Sequence, residues 1–283
     1  MRVAYVTAGT VGFGDTAKGI SLRRALARRN SSVDLRVFAP QSQFPVTQSQ
    51  GVVVVDVDAA ALLDPGRALG SNLGAAVAAF APDLVVLGQF WAPVHHLIAA
   101  WGAPAWLLLR AAPAQWTQGF PGMPFDPKRF ARIVAIEPVE LAHVRERIDP
   151  IVLANADDAG PLLPTPLSSR AALGVVAVHA GLPGELEQLV ARSPKPVTTR
   201  FDLRDQSAPF PVCLLLAADA EHVVCGAGYN SYWEARWLHY ASRTTFVPFA
   251  RNIDDQAWRV TACADFVPKE NGADVLARWI DAG

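Results

Sequence analysis

Cysteine is scarce. Cys213, Cys225 and Cys263 are the only three in 283 residues. An odd number cannot pair completely and none shows CxxC spacing, so neither a disulfide framework nor a thiolate zinc site is supported. Lysine is almost as rare, with Lys18, Lys128, Lys195 and Lys269 alone. Neither sign of charge is in excess. Lys+Arg 25 against Asp+Glu 26 leaves a formal net charge of −1, which argues against broad electrostatic capture of nucleic acid. A long apolar run is also missing. The most apolar stretch, residues 97–109, is broken by Gly102 and Pro104 and closed by Arg110. It falls short of the about 20 residues that span a bilayer. The opening Met-Arg-Val-Ala-Tyr-Val-Thr reads as a strand, not a signal peptide. The expectation is a cytoplasmic protein with reduced thiols and at most peripheral membrane contact.

What the chain does have is apolar residues. They make up 51% against 18% charged, which excludes disorder as the dominant state. A mean hydropathy of +0.20 leaves room for an apolar binding surface. Apolar, β-branched runs at 3–6, 33–38, 52–57, 84–87, 105–109 and 133–136 read as buried strands. Between the first two, residues 17–29 form a helix with Ile20, Leu22, Ala25 and Leu26 on one side. Such alternation predicts a parallel sheet covered on both faces. Residues 138–166 contain a helix over 139–147 and then a Pro-rich linker. A second series follows, with strands at 175–179, 196–200, 222–225 and 244–247 and helices at 185–191 and 274–282. Two α/β domains in tandem, 1–150 and 151–283, are expected.

Ligands of open parallel sheets bind beyond the carboxyl ends of the strands. Two loops stand out there. Ala8-Gly-Thr-Val-Gly-Phe-Gly-Asp-Thr16 follows the first strand, and Gly9, Gly12 and Gly14 permit close backbone approach. It is neither GxGxxG nor a P-loop, and Asp15 or Thr16 caps the next helix equally well. The second is His222-Val-Val-Cys-Gly-Ala-Gly-Tyr-Asn-Ser-Tyr-Trp-Glu234. Gly226 and Gly228 lead into a helix starting near Asn230 or Ser231, whose N–H groups suit a pyrophosphate. Glu234, one turn in, suits two ribose hydroxyls. Thr244-Thr-Phe-Val-Pro-Phe249 and Asp254-Asp-Gln256 follow, the latter suited to sugar hydroxyls. Helix capping by Asn230, Ser231 or Asp254 is the competing reading for each piece.

Together, Gly228, Glu234, Phe246-Val-Pro-Phe249 and Asp254-Asp-Gln256 resemble the donor domain of GT-B glycosyltransferases. The likeness is greatest to the bacterial N-acetylglucosaminyltransferases acting on the lipid-linked peptidoglycan precursor. It extends to Ala217-Ala-Asp219 and the His179-Ala-Gly-Leu-Pro-Gly184 turn. The resemblance implies a shortened GT-B architecture of two Rossmann-like parallel-sheet domains facing across a cleft. It implies a UDP- or dTDP-linked sugar donor, no cofactor and no metal, and a small-molecule or lipid-linked acceptor; a homodimer stays open. Glu234 would bind the ribose. Gly226, Gly228, Tyr229, Asn230 and Ser231 would line the diphosphate, with Gly12 approaching from the first domain. Phe249, Asp255 and Gln256 would adjoin the donor sugar.

The first domain departs from that family. Its loop carries Phe13 where a His is expected, so the general base must come from elsewhere. Asp15, in a dry site with a raised pKa, is one candidate, against a capping role. His95 or its neighbour His96, after the fourth strand, is the other, as base or acceptor contact, against a helix-surface position; His95 is carried forward. Phe90, Trp91, Trp101, Trp106, Trp116 and Phe120 crowd one region. Trp106 belongs to a strand core; the rest either tuck under the 113–125 loop or line an acceptor site. Arg110 either meets an acidic ligand or pairs internally. Three functions follow: inverting sugar transfer, nucleotide-sugar binding without transfer, and epimerase or hydrolase chemistry on the same fold.

Overall fold

The computed structural model describes residues 1–8, 14–40, 51–153, 173–179, 182–202 and 220–283. Gly12, Phe13, most of the Pro-rich linker, Cys213 and the Ala217-Ala-Asp219 segment lie outside the described residues. The chain divides into two compact units, 1–151 with 272–283, and 152–271.

Unit one is built on an all-parallel sheet. Its strands are β1 (Arg2–Val6), β2 (Asp34–Pro40), β3 (Val52–Val55), β4 (Leu84–Leu87), β5 (Ala105–Leu109), β8 (Arg132–Ala135) and the short β9 (Glu146–Arg147). Among the described residues they lie in the order β3-β2-β1-β4-β5-β8-β9. β4 and β5 are buried along their whole length, as strands covered on both faces must be. The direction of winding reverses between β1 and β4, which opens a crevice at their carboxyl ends.

Helix α1 (Gly14–Arg28) covers this sheet with Ile20, Leu22, Ala25 and Leu26 buried, as the sequence predicts. Gly19 lets it come close, since a Cβ there would sit 2.7 Å from Tyr5 Cδ1. Shorter helices α2 (Ala59–Leu63), α3 (Asn72–Phe80) and α4 (His95–Ala100) complete the layers. Asp58 and Ser71 cap α2 and α3 through Ala61 N–H and Gly74 N–H. After β5 comes a single helical turn, α5 (Gln115–Gln118). The antiparallel hairpin of β6 (Gly119–Phe120) and β7 (Met123–Pro124) follows it.

The helix expected over 139–147 does not form. His143 takes a left-handed φ of 68°, which a helix interior does not allow. Glu146 and Arg147 instead pair with Val134 and Ala135, and Ile148 N–H reaches Ala135 O. A β-ladder and the tilted contact of His143 with Phe125 (5.7 Å) override a helix-prone composition.

Unit two has strands β10 (Val175–His179), β11 (Thr199–Asp202), β12 (His222–Gly226) and β13 (Thr244–Val247), parallel in the order β11-β10-β12-β13. Its reversal falls between β10 and β12. Helix α6 (Glu185–Arg192) packs Leu189 against Ala177 and Val224, with Val247 and Phe249 alongside. Helices α7 (Tyr229–Trp237) and α8 (Gln256–Ala262) follow β12 and β13. The closing helix α9 (Gly272–Asp281) clusters with unit one. Arg28–Asp274 and Arg29–Asp281 ion pairs tie it to α1 at 2.8 and 2.7 Å. No described helix is long and apolar enough to cross a membrane.

Candidate functional site

The crevice of unit two is open. A cavity of about 150 Å³ lies at the carboxyl ends of β10 and β12, lined in part by His179, Gly226, Gly228, Ser231, Phe249 and Gln256. Neither Gly226 nor Gly228 has a positive φ, so backbone strain does not demand glycine there. A Cβ at Gly226 would instead lie 3.4 Å from the Phe249 ring, and one at Gly228 would lie 4.0 Å from Gln256 Nε2. What these glycines supply is free space at a wall of the cavity.

Helix α7 starts at that wall. Its N-cap is Gly228, which makes no side-chain cap. The helix begins one residue earlier than expected, and Asn230 and Ser231 lie inside it and do not cap it. Asn230 is buried with its amide oxygen unpartnered, and Tyr229 is buried beside it. An uncapped helix start at a cavity attracts anions through its dipole and N–H groups.

Gln256 is buried as the first residue of α8. Its Oε1 accepts the Phe249 N–H at 3.0 Å, which leaves the amide NH₂ as a donor on the Gly228 side. Asp255 is the cap of α8, accepting Trp258 N–H at 2.9 Å, and is exposed. The capping candidate Asp254 instead forks onto the buried Arg259 at 2.6 and 3.2 Å. Arg259 in turn holds Ala227 O at 2.9 Å and so fixes the glycine turn from behind. Glu234 is fully buried, not on the cavity lining. Burial first, and the Glu234 charge second, push the neighbouring Cys225 thiol up to about 12, so this cysteine is inert.

Two residues not singled out in the sequence complete the wall. Arg251 holds Glu185 through both guanidinium nitrogens, each at 2.6 Å. His179 is buried with Glu185 Oε2 and Asp202 Oδ1 each at 3.4 Å. Burial raises the Glu185 pKa, but the Arg251 hydrogen bond and charge outweigh it and hold the carboxyl below its ordinary value. Glu185 and Arg251 lie 66 positions apart, so no local pattern reports the pair.

The carboxyl end of β4 in unit one carries a buried ion pair. Asp15, in the first turn of α1, sits against the carboxyl end of β4, where a Gly88 Cβ would lie 3.1 Å from its Cγ. Both Asp15 and Lys18 are buried, and Lys18 Nζ donates to Asp15 Oδ1. Burial raises the Asp15 pKa, yet the charges of Lys18 and of buried Arg110 outweigh it, and the net shift is downward. This corrects two expectations. The carboxyl is not held protonated by a dry site, and among the described residues its bond goes to Lys18 and not to a backbone N–H. Arg110 is buried and its charge acts on Asp15. Glu137, also fully buried, accepts Ala111 N–H at 2.5 Å beside it.

His95 begins α4 on the wall of a separate unit-one cavity of about 300 Å³, shared with Trp91, His96, Met123 and Arg129. Its Nδ1 faces Ala92 O at 2.9 Å. A carbonyl only accepts, so Nδ1 carries the proton and Nε2 keeps its lone pair. Burial, then the His96 and Arg129 charges, keep the imidazole below its ordinary value, against the pull of the Ala92 carbonyl. Trp91 both lines this cavity and packs under the 113–125 loop. Trp91 Nε1 bonds Trp116 O at 2.9 Å, and Phe120 lies against both rings at 5.9 and 4.9 Å.

No family model and no curated protein matches the chain. Solved structures do. The spinosyn forosaminyltransferase SpnP matches with a TM-score of 0.60 and 16% identity over 99% of this chain and 90% of its own. The glycosyltransferase VinC in complex with dTDP gives 0.52 and 15%, over 99% and 90%. MurG of Acinetobacter baumannii gives 0.50 and 13%, also over 99% and 90%. At such identities the likeness is one of fold. Two parallel-sheet units that align along nearly the whole of these chains give this protein the GT-B glycosyltransferase fold.

Proposed function

We propose that the protein transfers a sugar, with inversion, from a nucleoside-diphosphate donor to an acceptor hydroxyl. The observation that carries the reading is the open unit-two crevice. An uncapped helix start stands behind two unstrained glycines, with Ser231 and the Gln256 amide beside it. In this reading the α7 N–H groups take the diphosphate and Gln256 the donor sugar. They stabilise the charge that develops as the anomeric C–O bond breaks. The acceptor oxygen forms the new bond from the opposite face, and its proton passes to a general base.

His95 Nε2 suits that task better than Asp15, whose carboxylate is committed to Lys18. UDP or dTDP is the nucleotide class, in keeping with the dTDP complex of VinC. No metal is required in this scheme, because backbone donors carry the leaving-group charge. A donor-binding protein that does not transfer is the second reading, favoured by the locked state of Asp15. Thermal-shift titration with nucleoside diphosphates tests the site, and stabilisation by UDP or dTDP is expected. No shift at millimolar ligand would sink donor binding. Sugar release to water or acceptor then separates enzyme from binder.

A further inference from the structure

Arg251 is the guanidinium of the unit-two cavity, and a carboxylate occupies its fork. The two 2.6 Å bonds to Glu185 are parallel and charge-assisted, the geometry in which arginine also grips a phosphate. Glu185 is thus placed as an internal copy of an anionic ligand, in the same cavity as the uncapped start of α7. Arg251 is not anchored by Glu185 alone. Its guanidinium lies 5.4 Å from the Phe249 ring centre, and Nη1 also reaches Ala250 O at 3.2 Å.

Glu185 likewise keeps partners without Arg251. Its Oε2 accepts Leu182 N–H at 3.1 Å and lies 3.4 Å from His179 Nε2. It also stands at the first position of α6, where the helix dipole favours negative charge. Exchanging a carboxylate for a phosphate on Arg251 therefore leaves neither charge bare, which removes the main cost of breaking a half-buried pair.

We propose that Arg251 is a diphosphate-binding residue of this cavity and that Glu185 competes with the donor's diphosphate for it. This rests on the donor reading above and adds a direction that the reading alone does not contain. Removing the acid strengthens binding, and removing the base weakens it.

The test is calorimetric titration of the full chain with UDP, dTDP, inorganic pyrophosphate and uridine. The proteins compared are wild type, Glu185→Gln, Arg251→Met and the double variant, with ligand-free melting curves to verify folding. Glu185→Gln should bind the two nucleotides and pyrophosphate about three- to tenfold more tightly. Arg251→Met should bind them about tenfold or more weakly, and the double variant should match Arg251→Met. Uridine, which has no phosphate, should not discriminate. Equal or weaker nucleotide binding by folded Glu185→Gln overturns the competition while wild-type binding keeps the donor reading intact. If no protein binds UDP, dTDP or pyrophosphate, the donor reading falls and this inference with it. If Glu185→Gln does not fold, Glu185→Ala and Glu185→Ser carry the same expectation.

Discussion

The two crevices have the same topological origin and opposite contents. Each lies where the winding of a parallel sheet reverses, between β1 and β4 in unit one and between β10 and β12 in unit two. In unit one the place is taken by Asp15 and Lys18, both buried, with the Arg110 charge acting on them. In unit two it is left as a cavity walled by Gly226, Gly228 and Ser231. A fold therefore supplies the position of a site, and the side chains decide whether it is a site. Among the described residues, the first crevice holds a buried pair at i, i+3 spacing. Two glycines without left-handed backbone suffice to keep the second open.

Removing the lysine of that pair should have the largest effect. Lys18→Met leaves the Asp15 carboxylate buried without its hydrogen-bonded ammonium, and loss of about 3–5 kcal/mol is expected. Chemical denaturation measures it. A loss under about 1 kcal/mol would mean that the unit-one crevice is not held by this pair. Asp15→Asn/Lys18→Met should recover part of the loss, since no bare charge remains. The pH dependence has a definite sign. The folded Asp15 pKa lies below 3.8, so its contribution is present above that value and fades as pH falls through the lower, folded one. In the double variant that acid slope should be absent.

Filling the open crevice is next in size. Gly226→Val or Gly228→Val puts branched carbons where the nearest atoms are Phe249 and Gln256. Nucleoside diphosphate affinity should fall at least about tenfold, equivalent to about 1.4 kcal/mol of binding. The ligand-free melting temperature should move far less than in Lys18→Met. Retained affinity in both variants would place the anion elsewhere in the chain.

The comparison also separates the two candidate bases. With His95 as base, transfer slows as pH falls through an imidazole value lying below 6.5. With Asp15 as base, the acid limb lies below 3.8. The rate profile should show an acid limb below pH 6.5, and His95→Gln should abolish it together with most of the rate. An unchanged rate and profile in His95→Gln would remove His95 from the reaction.

How far the sequence carried these points depended on the range of each interaction. The strands at 84–87, 105–109, 175–179 and 244–247 appear with the bounds that apolar runs predict, because a doubly covered strand leaves an unmistakable local pattern. The Gly228-to-Gln256 segment was legible because its spacing is local. The Asp15-x-x-Lys18 spacing was readable in principle as a helical pair, but its burial was not. That burial comes from β4 and from Arg110, 95 positions on. The Glu185–Arg251 pair, the edge strand at 146–147 and the depth of Glu234 all arise from tertiary packing, which no window of sequence contains.

The smallest expected effect concerns Asp255, where the resemblance and the geometry point to different roles. Family likeness sets it toward the donor sugar; in the structure it is an exposed cap bonded to Trp258 N–H. Asp255→Ala should cost about 1 kcal/mol of stability through loss of the cap. Asp255→Ser keeps a capping oxygen but drops the charge and one methylene of reach. If capping is the whole role, the serine variant regains the stability and both variants bind the nucleotide-sugar as wild type does. If Asp255 also holds the sugar, the serine variant regains stability and still binds the nucleotide-sugar more weakly, with free UDP or dTDP unaffected. The two readouts move independently, because a cap acts on the helix of unit two whether or not its crevice is occupied.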